Sequence, residues 1–334
     1  MKFSIESLES RVMMSVNCVD PEICNLYGSG YADGQLTRTE VIGLFRSATD
    51  GGQVSATEVR DLRNIVANSI MPASVKSLSQ DVLDARPTAA NMNQLIDKWF
   101  YGKDRPSLAG FPEISYQPVS GSLFVSGASA ADIQQGRVGD CYLLAALGAV
   151  ADKLNTVINT MFTDNMDGTW AVRFYKLDGS RYIEDWVTVD NQLPVNSAGF
   201  AAFENFGSNR LNPSNELWPA LAEKAYAQFA RGNSYAALSG GWPSLVFGQV
   251  TGRTAISSFD PNAIAALINY VSRGDAVVVY RYMDPARTQG HAYFVKSYSN
   301  GIFQLHNPWG AHHLSLDASQ IRSQCYGFAV ATRV

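Results

Sequence analysis

Residues 141–154 are almost wholly apolar, and they follow a polar, glycine-rich stretch at 134–140. That change predicts a loop feeding an apolar helix. Farther on, residues 169–176 and 181–189 alternate between apolar and polar side chains, and Asp178-Gly179 lies between them, which predicts a β-hairpin. Pro219 does not fit a helix interior, so the next helix is expected to start near Trp218 and to end at Arg231, before Gly232. Asp260-Pro261 and Arg273-Gly274 are the start and stop signals of another helix. Strands are expected at 276–282, 291–298, 302–306 and 327–332, with 190–213 mostly loop.

The pattern is looser toward the N-terminus. Two similar units stand about 18 residues apart, one from Asp33 to Val41 and one from Gly51 to Val59. Each reads as a loop, a Thr or Ser cap, then a helix, and each is similar to the second half of an EF-hand loop, where the final glutamate ligates calcium. The early ligand positions hold Ser29, Tyr31, Ser47 and Thr49, so the units are read as capped helices without calcium. Residues 71–90 lack periodicity and are expected to be a loose connection, residues 91–100 a helix with Leu95, Ile96, Trp99 and Phe100 as its apolar stripe, and 105–118 a linker. The sum is an α+β chain, a helical first lobe and a β-rich second, preceded by a small helical region.

Composition narrows the class. A chain of 334 residues with 46% hydrophobic residues has room for two or three parts and a large core. A net charge of −4 gives no reason to invoke nucleic acid, and no apolar run reaches the 18 residues of a transmembrane helix. The start, Met1 to Arg11, is too polar for a standard signal peptide, though it resembles the Leu-Glu-x-Arg tags of some exported bacterial proteins. Localisation otherwise defaults to the cytoplasm. Cys18 and Cys24 are close enough to bridge, but four cysteines make no disulfide framework.

The chemistry centres on Cys141. Asp140 is a good N-cap, so Cys141 falls at the first helical position, where unpaired amides and the helix dipole favour a thiolate. A nucleophilic thiol needs a base, and the base needs an orienting group. His291, in Gly290-His291-Ala292-Tyr293, and Asn307, in Asn307-Pro308-Trp309-Gly310, supply those types. A three-residue loop, Ser299-Asn300-Gly301, would set Asn307 opposite Tyr293 and one diagonal from His291; a two-residue turn would set it opposite Phe294, on the wrong face. The triad therefore asks for the three-residue loop. Pro308 ends ladder pairing, and Trp309 is placed to shield the His291–Asn307 bond from water.

Five collinear motifs resemble the calpain family of cysteine proteases: Gln135-Gly136-x-x-Gly139-Asp140-Cys141, Glu223-Lys224-Ala225-Tyr226-Ala227, Ala237-Leu238-Ser239-Gly240-Gly241, Gly290-His291-Ala292-Tyr293 and Asn307-Pro308-Trp309-Gly310. The resemblance implies a papain-like core of two lobes with the cleft between them, of bacterial type and limited to the catalytic core. Joined to the reading of the N-terminal half, it divides the chain into a tail at 1–27, a helical region at 28–103 and a protease domain at 104–334, with lobes at about 118–250 and 251–334. It makes Cys141 the nucleophile, His291 the base and acid, Asn307 the orienter and Gln135 an oxyanion donor beside the Cys141 amide. The family's core also binds calcium, for which the matching positions are the carbonyls of Val125 and Gly127 and the carboxylates of Asp132 and Glu223. No organic cofactor is implied, and the partners are protein or peptide substrates.

The sequence departs from the family at Tyr142, where tryptophan is usual, at Val138, where leucine is usual, and after Gly310. There Ala311-His312-His313-Leu314 replaces an acidic segment, which bears on a second calcium site. Endopeptidase action is the reading to test first. The alternatives are transglutaminase-type acyl transfer by the same residues, or a binding module that kept the fold; loss of a triad residue would mark the latter, and none is lost.

Overall fold

The computed structural model describes residues 16–333 except 261, 285 and 287, so the N-terminal tag and the Pro261 half of the Asp260-Pro261 start signal lie outside the described residues. The chain divides into two compact units at Asp104/Arg105.

Among the described residues the first unit holds five helices, α1 (Pro21–Gly30), α2 (Arg38–Ser47), α3 (Ala56–Asn68), α4 (Ala73–Asp84) and α5 (Met92–Trp99). Thr37 and Ser55 cap α2 and α3 in full capping boxes: the Glu40 and Glu58 carboxylates turn back onto the Thr37 and Ser55 amides at 2.7 and 2.6 Å. The two glutamates at the calcium-ligand position of the EF-hand pattern are thus engaged in closing helix ends. A disulfide joins Cys18 to Cys24, and the buried Asp61 carboxylate takes the Val19 and Asp20 amides at 2.7 Å each. The expected loose connection at 71–90 is instead largely α4, whose Val75, Leu78, Val82 and Leu83 are buried. Their spacing is helical; the serines and the flanking prolines masked it.

The second unit begins with β1 (Ser115–Pro118). It continues through α6 (Cys141–Lys153), α7 (Asn155–Met161), β2 (Phe162–Asp164), β3 (Thr169–Asp178), β4 (Arg181–Asp190), β5 (Gln192–Val195), α8 (Trp218–Ala230) and α9 (Pro243–Thr251), where Gly252 ends the helix in the left-handed conformation. Then follow β6 (Ile256–Ser258), α10 (Ile264–Ser272), β7 (Ala276–Tyr282), β8 (Gly290–Ser299), β9 (Ile302–His306), β10 (Leu314–Asp317), α11 (Ala318–Gln324) and β11 (Cys325–Ala331). Sheet order in the second lobe is β10-β9-β8-β7-β11-β6, and every pairing is antiparallel. The β3–β4 hairpin is present, with Asp178 opposite Arg181 and a turn of Gly179-Ser180 rather than Asp178-Gly179.

Helix α6 carries the unit. Ten consecutive residues, Tyr142 to Ala151, are buried. One face meets α9, and another meets β7 and β8, so the helix reaches from its own lobe into the second. Gly148 allows that approach, since a Cβ there would stand 3.0 Å from the Phe294 ring. Lys224 on α8 is fully buried. It donates to the carbonyls of Asp190 and Gln192 at 2.9 and 2.8 Å and to the Asp190 carboxylate, which Arg105 also grips. A buried charge needs such partners, and these fix α8 to the β4–β5 corner.

Among the described residues, no single helix is long and apolar enough to cross a membrane.

Candidate active site

Cys141 is the first residue of α6, and Asp140 holds the N-cap position. The cap differs from expectation. The Asp140 carbonyl starts the helix by accepting from the Leu143 and Leu144 amides, but its carboxylate makes no cap bond and turns into the interior, fully buried. The thiol also departs from expectation. Burial pushes it up to about 11, and the Asp140 charge adds to this. The amides of Ala292, Tyr142 and Cys141 pull the other way without prevailing. Desolvation outweighs the helix end, so the thiol is neutral in this geometry.

His291 is the second residue of β8 and Asn307 follows β9, and the two side chains meet, Nε2 to Oδ1 at 2.9 Å. The same Oδ1 accepts the Trp309 amide at 3.0 Å. An amide N–H only donates, so the atom facing it is an oxygen, and His291 Nε2 must carry its hydrogen. That leaves Nδ1 as the free base. Burial lowers the pKa of His291, with the Arg281 charge acting the same way and the Asn307 bond opposing. Trp309 lies 4.6 Å from the His291 ring, centroid to centroid, and Tyr293 meets that ring edge-on at 4.9 Å. The Asn307 side chain is therefore held in a dry pocket, where its bond to the imidazole is stronger.

Asn307 reaches the expected register, but not by the expected turn. Ser299 pairs with Ile302, so the turn is the two-residue Asn300-Gly301, both with positive φ. A bulge between Val295 and Ser297 then shifts the ladder by one, and Phe294 pairs with His306. Asn307 follows on the face of Tyr293, as the triad requires. The bulge at Lys296, not the loop length, makes the correction.

Cys141 and His291 face a common cavity of about 120 Å³, walled by Gly241, Trp242, Tyr280 and Tyr326. No hydrogen bond joins thiol and imidazole among the described residues; hydrogen bonds of this kind tighten when substrate binds.

Gln135 sits in the loop before α6. Its Nε2 donates to the Val138 carbonyl at 2.7 Å and to Asp140 Oδ1 at 3.2 Å, so both amide hydrogens are engaged within the loop. A Cβ on Gly136 would lie 2.1 Å from the Phe203 carbonyl oxygen, which makes glycine obligatory there. Beneath this loop lie three fully buried carboxyl groups. Glu204 accepts the Gln134 amide at 2.7 Å, Glu223 accepts the Glu204 amide at 3.1–3.2 Å, and Asp140 is hydrogen-bonded to Glu223. Burial raises all three: Asp140 to about 7, Glu204 and Glu223 well above the usual carboxylate range, with the Asp140 charge adding to the last two. Two acids in hydrogen-bond contact share a proton, which removes the repulsion.

A family model described as calpain family cysteine protease matches residues 112–322. The chain belongs to the calpain family of cysteine proteases. It is 29% identical to rat calpain-13 over 248 residues, which cover 66% of this chain and 35% of that protein. It is 30% identical to the human calpain-2 catalytic subunit over 215 residues, 56% of this chain and 29% of that one. With the maize calpain-type cysteine protease DEK1 it shares 35% identity over 153 residues, 44% of this chain and 6% of that protein. These matches span about a third or less of each relative's length. The α+β architecture fits this calpain core, and calpains as a family are generally calcium-regulated.

The structure places the four expected calcium positions unevenly. Asp132 ends a short 3-10 turn, and its Oδ2 takes the Ser129 amide and the Trp218 indole N–H at 2.8 Å each. Gly127 has φ +83°, and Val125 is exposed on the same loop. Glu223 does not suit a metal site: both its oxygens face the Glu204 amide, and it lies in the protonated interior group with Asp140. The acid on the Val125 side is Glu216, which accepts the Val125 amide at 3.0 Å and is raised by burial, with the Asp132 charge adding to it. A partly exposed loop with two carboxylates beside it has the kind of hard oxygen donors that calcium takes. Glu216 and Glu204 escaped notice in the sequence because neither stands in a periodic or spaced motif.

Proposed function

We propose that this chain is a cysteine endopeptidase that cleaves peptide bonds of protein substrates through Cys141, His291 and Asn307. The observation that carries the reading is the His291–Asn307 bond, which fixes the imidazole in the tautomer whose Nδ1 is free, at a cavity that also contains Cys141. Neutral thiol and neutral imidazole are the correct resting pair for transfer of the Sγ proton to Nδ1 as sulfur attacks the carbonyl carbon. The oxyanion forms beside the Cys141 amide. His291 then gives its proton to the departing amine, leaving a thioester. Water, deprotonated by the same nitrogen, attacks the thioester and releases the acid and the thiol. The test is hydrolysis of casein by the purified chain, with and without calcium, beside Cys141→Ala; no cleavage in any condition by the unaltered chain refutes the reading.

Gln135 is the second oxyanion donor in this reading. It reaches that role by exchanging its bonds to Val138 and Asp140 for one to the substrate oxygen. Gln135→Ala is expected to lower kcat by roughly 10²–10³ with KM little changed, as the loss of one such donor does. A raised KM with constant kcat would make Gln135 a substrate-binding residue instead.

For calcium we assign the carbonyls of Val125 and Gly127 and the carboxylates of Asp132 and Glu216. The ion would neutralise two acids on the loop that leads to Gln135 and Cys141. Calcium is expected to raise the melting temperature of the unaltered chain and of Glu223→Gln, but not of Asp132→Ala or Glu216→Ala. A shift that persists in both alanine variants places the ion elsewhere.

A further inference from the structure

We propose that His313 is a positioning residue for Asn307, a role resting on the triad reading above. The last ladder pair of β9 is His306 with Phe294, and Pro308 brings no amide of its own. Asn307 lies between them, fully buried, and its backbone N–H has left the strand pairing. A buried amide without an acceptor is costly. His313 supplies the acceptor, Nδ1 to the Asn307 amide at 3.1 Å. The chain reaches that position by turning at Gly310 and His312, both with positive φ, before β10 pairs Leu314 with Leu305.

The bond has a chemical condition. Because the Asn307 amide donates, His313 Nδ1 must be unprotonated, and the ring is neutral with its hydrogen on Nε2. The ring is exposed, lies 4.0 Å from that of His306, and borders a cavity of about 570 Å³. The charged and titratable groups around it there are His306 on β9, Lys296 on β8, and Asp152 and Lys153 at the end of α6. A proton on Nδ1 turns the acceptor into a donor facing a donor. Asn307 then loses its backbone anchor, and the oxygen that orients His291 moves with it.

His313→Ala is expected to lower kcat by roughly tenfold to a hundredfold, the effect of taking its acceptor from the buried Asn307 amide, with KM within about twofold. His313→Asn presents an amide oxygen near the place of Nδ1 and is expected to recover activity to within about threefold of the unaltered chain. The Asn307 amide should exchange slowly with deuterium in the unaltered chain and in His313→Asn, and rapidly in His313→Ala. Unchanged kcat in His313→Ala overturns the inference, as does equal impairment of a folded Asn variant. If the alanine variant does not fold, the Asn variant decides, through its kcat and amide exchange. Asn307→Ala separates the two readings. Activity kept in that variant refutes the triad, whereas activity lost there but kept in His313→Ala refutes only the role of His313.

Discussion

Replacing Cys141 by serine should leave the fold intact and remove peptidase activity, by roughly 10⁴–10⁶ in kcat. The side chain is only partly buried at the start of α6, and a hydroxyl takes the place of the thiol without displacing neighbours. The loss is chemical. A serine hydroxyl is a far weaker acid than a thiol, and His291, whose pKa burial lowers further, is too weak a base to compensate. His291→Ala should fall to the same floor, and the double variant should fall no farther, because residues that act as one unit are not additive. Single-turnover rates on a fluorogenic peptide, with circular dichroism to verify folding, make the measurement. Activity within tenfold of the unaltered chain in either single variant would take that residue out of the mechanism.

The second large effect is a pH dependence of stability that originates below the active-site loop. Asp140 is held at about 7 in the folded chain against 3.8 as a free side chain, and its neighbours Glu204 and Glu223 are raised as well. Raised acids bind more protons folded than unfolded, so their contribution is fully present below about pH 4 and is lost as pH rises through about 7. For Asp140 alone the three-unit difference amounts to on the order of 4 kcal/mol across that window. Asp140→Asn keeps a neutral group and an acceptor for Gln135, so its stability should fall less between pH 5 and pH 7.5 than that of the unaltered chain. Urea midpoints at the two pH values give the comparison. Parallel pH dependences would mean that the three carboxyls do not titrate as a group in this window.

Much of the chain was legible in its sequence for reasons that are local. The apolar run after Gly139 forms α6 because ten successive residues have nowhere to go but inside. Thr37 and Ser55 cap their helices because each has a glutamate three positions on. The same glutamates show the limit of motif reading, since a carboxylate that closes a capping box looks in sequence like one that waits for an ion. Residues 73–84 were misread because composition rich in serine hid a helical spacing of valine and leucine that only burial makes plain.

What the sequence determined by itself was the set of reactive groups, their order, and the elements that carry them. Those depend on propensities and caps within a few residues. The tertiary structure decided where the carboxylates go. Glu223 lies seven residues from Glu216 on the chain, yet one is buried against Asp140 and the other lies on the Val125 loop, because α8 begins between them and turns the two in different directions. It also decided the charge states, since desolvation depends on neighbours that no local pattern names: it leaves the thiol protonated against the helix dipole, and raises the three acids under Gln135. It decided the register at Asn307 too. A bulge at Lys296 and the ring of His313 hold that residue, and both arise only once β8, β9 and the returning chain are paired.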